Sequence, residues 1–131
     1  MLWSNRFKRL TEWFFHPTLT WVLPVKGVYF YDTEAVENHG LLFSGAELTL
    51  RHEPDNEYDA NAVQIWLNSQ PPCLLGYIPR THSRRIARYL SQADHCHAHI
   101  ETAYREYHRL HLDAHIQLRL HWWARLSAAW R

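Results

Sequence analysis

The sequence predicts a mainly β domain with appended helices (α+β). Short β-type runs separated by turn residues lie within residues 23–78, and apolar and polar residues alternate strictly over residues 110–122. A stretch with helical periodicity lies between these two regions. With 131 residues, of which 47% are hydrophobic, the chain can bury the core of one domain without covalent crosslinks. Short strands at this spacing favour a small barrel or a curled sheet.

The first sixteen residues predict an amphipathic helix that ends at Pro17. Apolar residues recur at intervals of three and four, while Arg6, Lys8 and Arg9 lie mostly off that stripe. We expect this helix to cover one end of the domain or to contact a partner, and an interfacial membrane helix is the alternative. The apolar stripe consists of Leu2, Trp3, Phe7, Leu10, Trp13 and Phe14.

Four short runs predict the next strands, and one further helix follows them. The runs are LPVKGVYFY at residues 23–31, ELTL at 47–50, AVQIWL at 62–67 and CLLGYI at 73–78. The segment at residues 81–94 begins with Thr81 as a predicted N-cap and places Ile86, Leu90 and Ala93 at helical spacing. The alternating run at residues 110–122 then predicts a long, half-exposed strand.

The charges are unevenly distributed although the net charge is only +1. Residues 26–59 contain two basic and eight acidic residues, whereas residues 80–131 contain nine arginines and four acidic residues. The two cysteines, Cys73 and Cys96, without a secretory signal, favour a reducing compartment, so we expect a cytoplasmic protein. No apolar run approaches the roughly 18 residues that a transmembrane helix needs.

Three motifs in a fixed order carry a family resemblance. GVYFY begins at Gly27, LTLRHEPDNEYDANAV occupies residues 48–63, and LGYIPR at residues 75–80 leads into a basic helix. In this order they resemble the HIRAN domain, a family of modules fused to helicases and nucleases that also includes free-standing bacterial proteins. The resemblance covers residues 21–122, which leaves residues 1–17 as an N-terminal helix and residues 123–131 as a tail.

The resemblance implies a fold and a ligand. It implies a small OB-like or SH3-like barrel of about six strands, with the Arg-rich helix after LGYIPR. It also implies a face that binds single-stranded DNA and, in eukaryotic members, a free 3′ end, with a base held between aromatic residues. The implied nucleic-acid-binding residues are Tyr29, Phe30, Tyr31, Asn56, Tyr58, Asp59, Tyr77 and Arg80, followed by Arg84, Arg85 and Arg88 of the helix.

The acidic turn is better suited to binding the end of a DNA strand than to binding its interior. A carboxylate repels an internal phosphodiester, but Asp59 can accept a hydrogen bond from a terminal hydroxyl, and Tyr58 can stack on a base of any identity. Tyr29 is a departure, because related end readers carry Arg at that position. Each of these residues also has a structural alternative. In the turn, Asp59 and Asn61 could satisfy backbone N–H groups and Tyr58 could pack as a corner residue. Elsewhere, Phe30 could belong to the core and the helix arginines could form a solvated face.

The run HCHAH raises the question of a metal. In an extended segment His95, His97 and His99 share one face and could present imidazoles to zinc. No Cys-x-x-Cys or helical His-x-x-x-His pair accompanies the run, so the prediction is a solvated polar face without a cofactor, with zinc as the alternative.

A non-catalytic binding module is the predicted function. The sequence has no phosphate-binding glycine-rich loop and no G-x-S-x-G motif. The leading hypothesis is a single-stranded DNA-binding module that acts with a helicase or nuclease partner in repair, replication or mobile-element processing. The alternatives are a zinc-dependent nuclease or hydrolase, and a protein-interaction adaptor with Trp-rich ends. These ends carry Trp3, Trp13, Trp122, Trp123 and Trp130. The oligomeric state stays open.

Overall fold

A computed structural model describes residues 17–28 and 40–121 of the protein. This part of the chain forms six strands and one helix. In chain order the elements are β1 (Thr18–Pro24), β2 (Glu47–His52), β3 (Val63–Leu67), β4 (Cys73–Tyr77), α1 (Arg80–Gln92), β5 (Ala93–Glu106) and β6 (Arg109–Leu120).

The six strands make one antiparallel sheet in the order β1-β6-β5-β2-β3-β4. The two outer strands approach each other where the chain leaves β1, because the backbone groups of Lys26 and Tyr77 exchange two hydrogen bonds of 2.8 Å. This approach depends on Gly76, where a Cβ atom would overlap the carbonyl oxygen of Lys26. The sheet therefore curls so that the segment after β1 lies beside β4.

The core lies on the inner face of this curled sheet and beneath helix α1. Alternate residues of β6, including Leu112, Ile116 and Leu118, are almost fully buried. Helix α1 contributes Ile86 and Ala87 to the same cluster. The strict alternation in the sequence therefore reports which face of β6 packs inward.

The predicted fold class is confirmed, while some element boundaries differ. β1 is Thr18–Pro24, so of the strand predicted at residues 23–31 only Leu23 and Pro24 lie in a strand, and the prediction is wrong for residues 25–28. The reason is Gly27, whose φ of 79° takes the chain out of extended geometry. The chain also has a strand over Ala93–Glu106 that takes up the last residues of the helix predicted to Asp94.

The predicted N-cap at Thr81 is wrong. Helix α1 begins at Arg80, and its N-cap is Pro79, without a capping side chain. The carbonyl oxygen of Pro79 accepts the backbone N–H groups of His82 and Ser83 at 2.8 and 3.1 Å, which places Thr81 inside the first turn. Proline lacks a donor of its own and fits this entry into the helix.

The predicted helix of residues 1–17 and the tail of residues 123–131 lie outside the described residues, except for Pro17. Within the described ranges, the protein has no helix whose length and apolarity would let it cross a membrane.

Candidate nucleic-acid interface

The acidic turn between β2 and β3 is built around Asn56. Its Oδ1 accepts the backbone N–H groups of Tyr58 and Asp59, both at 2.9 Å, and its Nδ2 donates to Oε2 of Glu53 at 3.1 Å. A short amide side chain that accepts from the backbone two and three residues ahead is the usual device of a tight turn. Asn56 therefore fixes the shape of the turn from within.

Asp59 joins this turn to helix α1. Its Oδ1 accepts the backbone N–H of Asn61 at 2.9 Å, and its Oδ2 accepts the hydroxyl of the buried Ser83 at 2.8 Å. The Ser83 hydrogen bond, then the Asn61 backbone hydrogen bond, lower the pKa of Asp59 from its ordinary value of 3.8. Each oxygen thus accepts one described hydrogen bond, and a carboxylate can accept about four in all.

Glu53 and Tyr77 form a second link within the site. The Tyr77 hydroxyl donates to Oε2 of Glu53 at 2.7 Å. This bond, and then the one from Asn56, lower the pKa of Glu53 from its ordinary value of 4.5. The Tyr77 hydroxyl thus holds the start of the turn against β4.

The turn leaves the ring of Tyr58 in solvent. The Tyr58 residue is 81% exposed, while its backbone carbonyl lies 3.4 Å from Nη2 of Arg80. The side chains of Glu53, Asn56 and Asp59 are engaged in hydrogen bonds that shape the turn. The corner-packing alternative for Tyr58 therefore does not fit, because a packed corner residue would be covered.

A cavity of about 940 Å³ opens beside this ring. The predicted residues of the turn and of the LGYIPR motif all line it, together with Lys26 and His82, which sequence reasoning missed. The available signals for these two were weak, namely the position of Lys26 directly before Gly27 and of His82 in the first turn of the basic helix. The predicted lining residues are Asn56, Tyr58, Asp59, Tyr77 and Arg80.

The three further predicted arginines of helix α1, Arg84, Arg85 and Arg88, are not among the residues that line this cavity. Arg84 and Arg85 are exposed, and Arg88 is half-buried. Arg80, Arg84 and Arg88 succeed one another at four-residue intervals, so they form a row along one face of the helix. Within the described part of the chain, Nε of Arg88 is buried without a hydrogen-bond partner.

The histidines lie on strands β5 and β6. His95 and His97 are exposed, and the rings of His97 and His99 are 5.8 Å apart between centroids. His99 instead stacks on His115 of β6, with centroids 4.7 Å apart and planes tilted by 20°. Among residues 17–28 and 40–121, no group of three or more His, Cys, Asp or Glu side chains is placed to hold a metal ion. The zinc alternative stays untested.

Three predicted contact residues, Tyr29, Phe30 and Tyr31, lie outside the described residues. The described chain ends at Val28 on one side of this segment and resumes at Gly40. The resemblance implies that aromatic residues of the first strand contact a base, and this role therefore stays a prediction.

Comparisons with known proteins identify the family and the fold. The chain matches the HIRAN domain family over residues 20–127. A protein from Lactobacillus plantarum, solved by a structural genomics consortium, has a similar structure with a TM-score of 0.60 and 22% identity, over 79% of this chain and 98% of that chain. The HIRAN domain of human HLTF gives a TM-score of 0.62 and 15% identity, over 82% of this chain and 81% of that chain. No curated protein matches the sequence.

Proposed function

The chain belongs to the HIRAN domain family, and on this premise we propose that it binds single-stranded DNA at the cavity beside Tyr58. The HIRAN domain is a DNA-binding module, so membership of the family supports nucleic-acid binding in general. The choice of a single strand and of a strand end follows what the resemblance implies, and the geometry of the described residues supports this cavity as the binding site.

The observation that carries the proposal is the exposure of Tyr58 at the wall of a large cavity. Tyr58 is 81% exposed on a turn held by hydrogen bonds, so its ring is available to stack on a base. Such stacking contributes about 1 to 3 kcal/mol per base and accepts any base, because every base has a π-face. Bases in a duplex are already stacked on their neighbours, so this contact favours single strands.

Basic side chains supply the second requirement, which is attraction to the phosphate backbone. Lys26, Arg80 and His82 line the cavity, and the arginine row of helix α1 starts at Arg80 and leads away from it. We propose that this row follows the backbone of the strand beyond the cavity. Neutralised phosphates release counterions, so binding should weaken as salt increases.

The carboxylates of Glu53 and Asp59 have a role in the site that does not oppose the binding of DNA. The Glu53 and Asp59 carboxylates each accept hydrogen bonds from neighbouring hydroxyl groups, which spreads part of their negative charge into the protein. Asp59 retains acceptor capacity on the cavity wall. We propose that the end of the strand enters the cavity and that its 3′-hydroxyl donates to Asp59.

In this function the protein acts without catalysing a reaction itself and delivers or holds a strand for a helicase or nuclease partner. Repair, replication and mobile-element processing are the settings in which free single-stranded ends arise. These roles extend the family assignment and depend on the DNA-binding step.

The test measures binding of a fluorescently labelled single-stranded oligonucleotide and of a blunt duplex of the same sequence by anisotropy. We expect tighter binding of the single strand, and weaker binding at 200 mM than at 50 mM salt, by about one order of magnitude for every two or so phosphates contacted. Equal affinity for the blunt duplex would contradict the choice of a single strand. A failure to bind either ligand at low salt would overturn the proposal.

A second candidate function is a protein-interaction adaptor, and one observation favours it. The backbone N–H of Leu120 donates to the carbonyl oxygen of Pro17 at 2.8 Å, so the described chain ends close to where it begins, and most of the tryptophans lie in the sequence beyond these two residues. Trp and Tyr are common anchors of protein interfaces. This function predicts a folded protein that binds no oligonucleotide in the anisotropy experiment.

A further inference from the structure

A smaller cavity of about 300 Å³ lies directly behind one wall of the large cavity. Both cavities are lined by Pro24, Lys26 and Gly27, so this segment separates them. The other wall of the smaller cavity is the hairpin of β5 and β6, including Tyr104 and Arg109. A ligand that fills the large cavity has only this short segment to cross before it reaches the hairpin.

The hairpin wall carries aromatic rings and a basic group. Tyr104 and His111 occupy paired positions on β5 and β6, and their rings stack with centroids 5.1 Å apart and planes tilted by 14°. Tyr104 is 48% exposed, so much of the residue is accessible to solvent. Arg109 lines the same cavity. Aromatic rings beside a guanidinium are the combination with which proteins hold single-stranded nucleic acid.

The segment between the cavities suits the crossing of a phosphate backbone. The Lys26 residue is exposed and lines both cavities, so its ammonium group can neutralise a phosphate at the boundary. Gly27 follows it with a φ of 79° and has no side chain that could obstruct a strand. The backbone of Lys26 is held by its two hydrogen bonds to Tyr77, so this boundary is fixed relative to β4.

We propose that the smaller cavity is a second nucleotide subsite, in which a base contacts the Tyr104–His111 pair and a phosphate contacts Arg109. Lys26 then binds the phosphate that lies between the nucleotides of the two cavities. This inference rests on the proposed binding of single-stranded DNA at the large cavity. It assigns a binding role to Lys26, Tyr104, Arg109 and His111, which the motifs of the sequence did not indicate.

A stacked cross-strand pair also stabilises a hairpin, so the test must separate binding from stability. The experiment uses the full chain and measures the affinity for an unlabelled six-nucleotide oligothymidylate by competition in fluorescence anisotropy. Tyr104→Ala should weaken binding about tenfold, as expected for the loss of one stacking contact. Tyr107→Asn is the matched control: Tyr107 belongs to the same hairpin, is 88% exposed and lines neither cavity, and asparagine tolerates its φ of 52°.

The phosphate contacts have their own variants and control. Lys26→Ala and Arg109→Ala should each reduce the dependence of log Kd on log salt by about one unit. Arg105→Ala, on the same hairpin but outside both cavities, should leave this dependence unchanged. Thermal unfolding of every variant shows whether it is folded. If Tyr104→Ala is unfolded, the Arg109 variant decides, because Arg109 lines the smaller cavity and not the large one.

The outcomes separate the two proposals. If the wild-type protein binds no single-stranded oligonucleotide, the proposed function itself fails. If the wild-type protein binds but folded Tyr104→Ala matches Tyr107→Asn, or Arg109→Ala keeps the wild-type salt dependence, the second subsite is wrong and the proposed function stands.

Discussion

The hydroxyl of Ser83 donates a 2.8 Å hydrogen bond to Oδ2 of Asp59 and lies 3.1 Å from the carbonyl oxygen of Arg80. Ser83 is 2% exposed, so this contact joins the acidic turn to the buried face of helix α1. The buried hydroxyl of Ser83 therefore helps to hold the turn that presents Tyr58 against the helix that presents Arg80. The two sides of the candidate site depend on each other through this contact.

Ser83→Ala should lower the stability of the protein and of the turn. The change removes a hydrogen bond to a charged group, so we expect the free energy of unfolding to fall by about 1.5 to 3 kcal/mol. Urea denaturation measures this change. Ser91→Ala is the control, because Ser91 lies in the same helix, is exposed and donates to a carbonyl oxygen of that helix, the one of Arg88. Equal losses in the two variants would show that the Asp59 contact contributes nothing of its own.

Acid should lower the free energy of unfolding because it protonates Glu53 and Asp59. Hydrogen bonds from Tyr77 to Glu53 and from Ser83 to Asp59 place both folded-state pKa values below the ordinary values of 4.5 and 3.8. A group with a lowered pKa stabilises the fold above its unfolded-state pKa and loses this contribution as the pH falls through its folded-state pKa. The free energy of unfolding should therefore decrease as the pH falls below about 5.

Tyr77→Phe tests the Glu53 part of this dependence. Phenylalanine keeps the ring but removes the hydroxyl that donates to Glu53, so the pKa of Glu53 should return toward 4.5. Urea denaturation at neutral pH and at acidic pH should then show a smaller loss of stability in the variant than in the wild type. An identical acid dependence would mean that the Tyr77 hydroxyl does not set the pKa of Glu53.

The sequence predicted the fold class because the apolar residues of β6 and of helix α1 follow the periods of these elements. The first strand was placed too late because Val22 is apolar yet 54% exposed, which obscures the alternation of β1. β5 was not recognised as a strand over its whole length because only Ala98 and Ile100 of its fourteen residues are buried. Pairing with β6 extends it beyond its own apolar pattern.

The site was only partly predictable for a related reason. The turn motif and LGYIPR identified the cavity residues Asn56, Tyr58 and Arg80 because these are local signals. The contribution of Lys26 depends on the pairing of its segment with β4, which local sequence does not encode. The bond from Ser83 to Asp59 spans 24 positions and appears only when helix α1 packs against the turn.

Removal of metal tests the histidine-rich strand. If His95, His97 and His99 form a solvated surface, purified protein should contain far less than one zinc per chain, and EDTA should leave its melting temperature unchanged. If zinc were bound at a structural site, its removal by EDTA would also remove the binding free energy that stabilises the fold. One zinc per chain by elemental analysis, together with a lower melting temperature in EDTA, would contradict this prediction.

Tyr58→Ala should weaken binding without weakening the fold. Because Tyr58 is 81% exposed, its side chain contributes little to the core, and the melting temperature should stay near that of the wild type. Loss of one stacking contact should reduce the affinity for single-stranded DNA by about 1 to 3 kcal/mol. Anisotropy titrations measure the affinity, with Tyr107→Asn as the control for loss of an exposed tyrosine. Unchanged affinity would exclude Tyr58 as the stacking residue.

The terminal group of the strand should decide how well it binds, because of Asp59. A 3′-hydroxyl can donate to the remaining acceptor sites of this carboxylate, whereas a 3′-phosphate places two negative groups face to face, so the phosphorylated strand should bind more weakly. Asp59→Asn should reduce this discrimination, since the amide can still accept from the hydroxyl without repelling the phosphate. The melting temperature of Asp59→Asn must be checked because Asp59 also accepts hydrogen bonds from Asn61 and Ser83.

Tyr58→Ala should weaken binding of both strands equally, because stacking does not depend on the terminal group. Equal binding of the two strands by the wild type would exclude end reading.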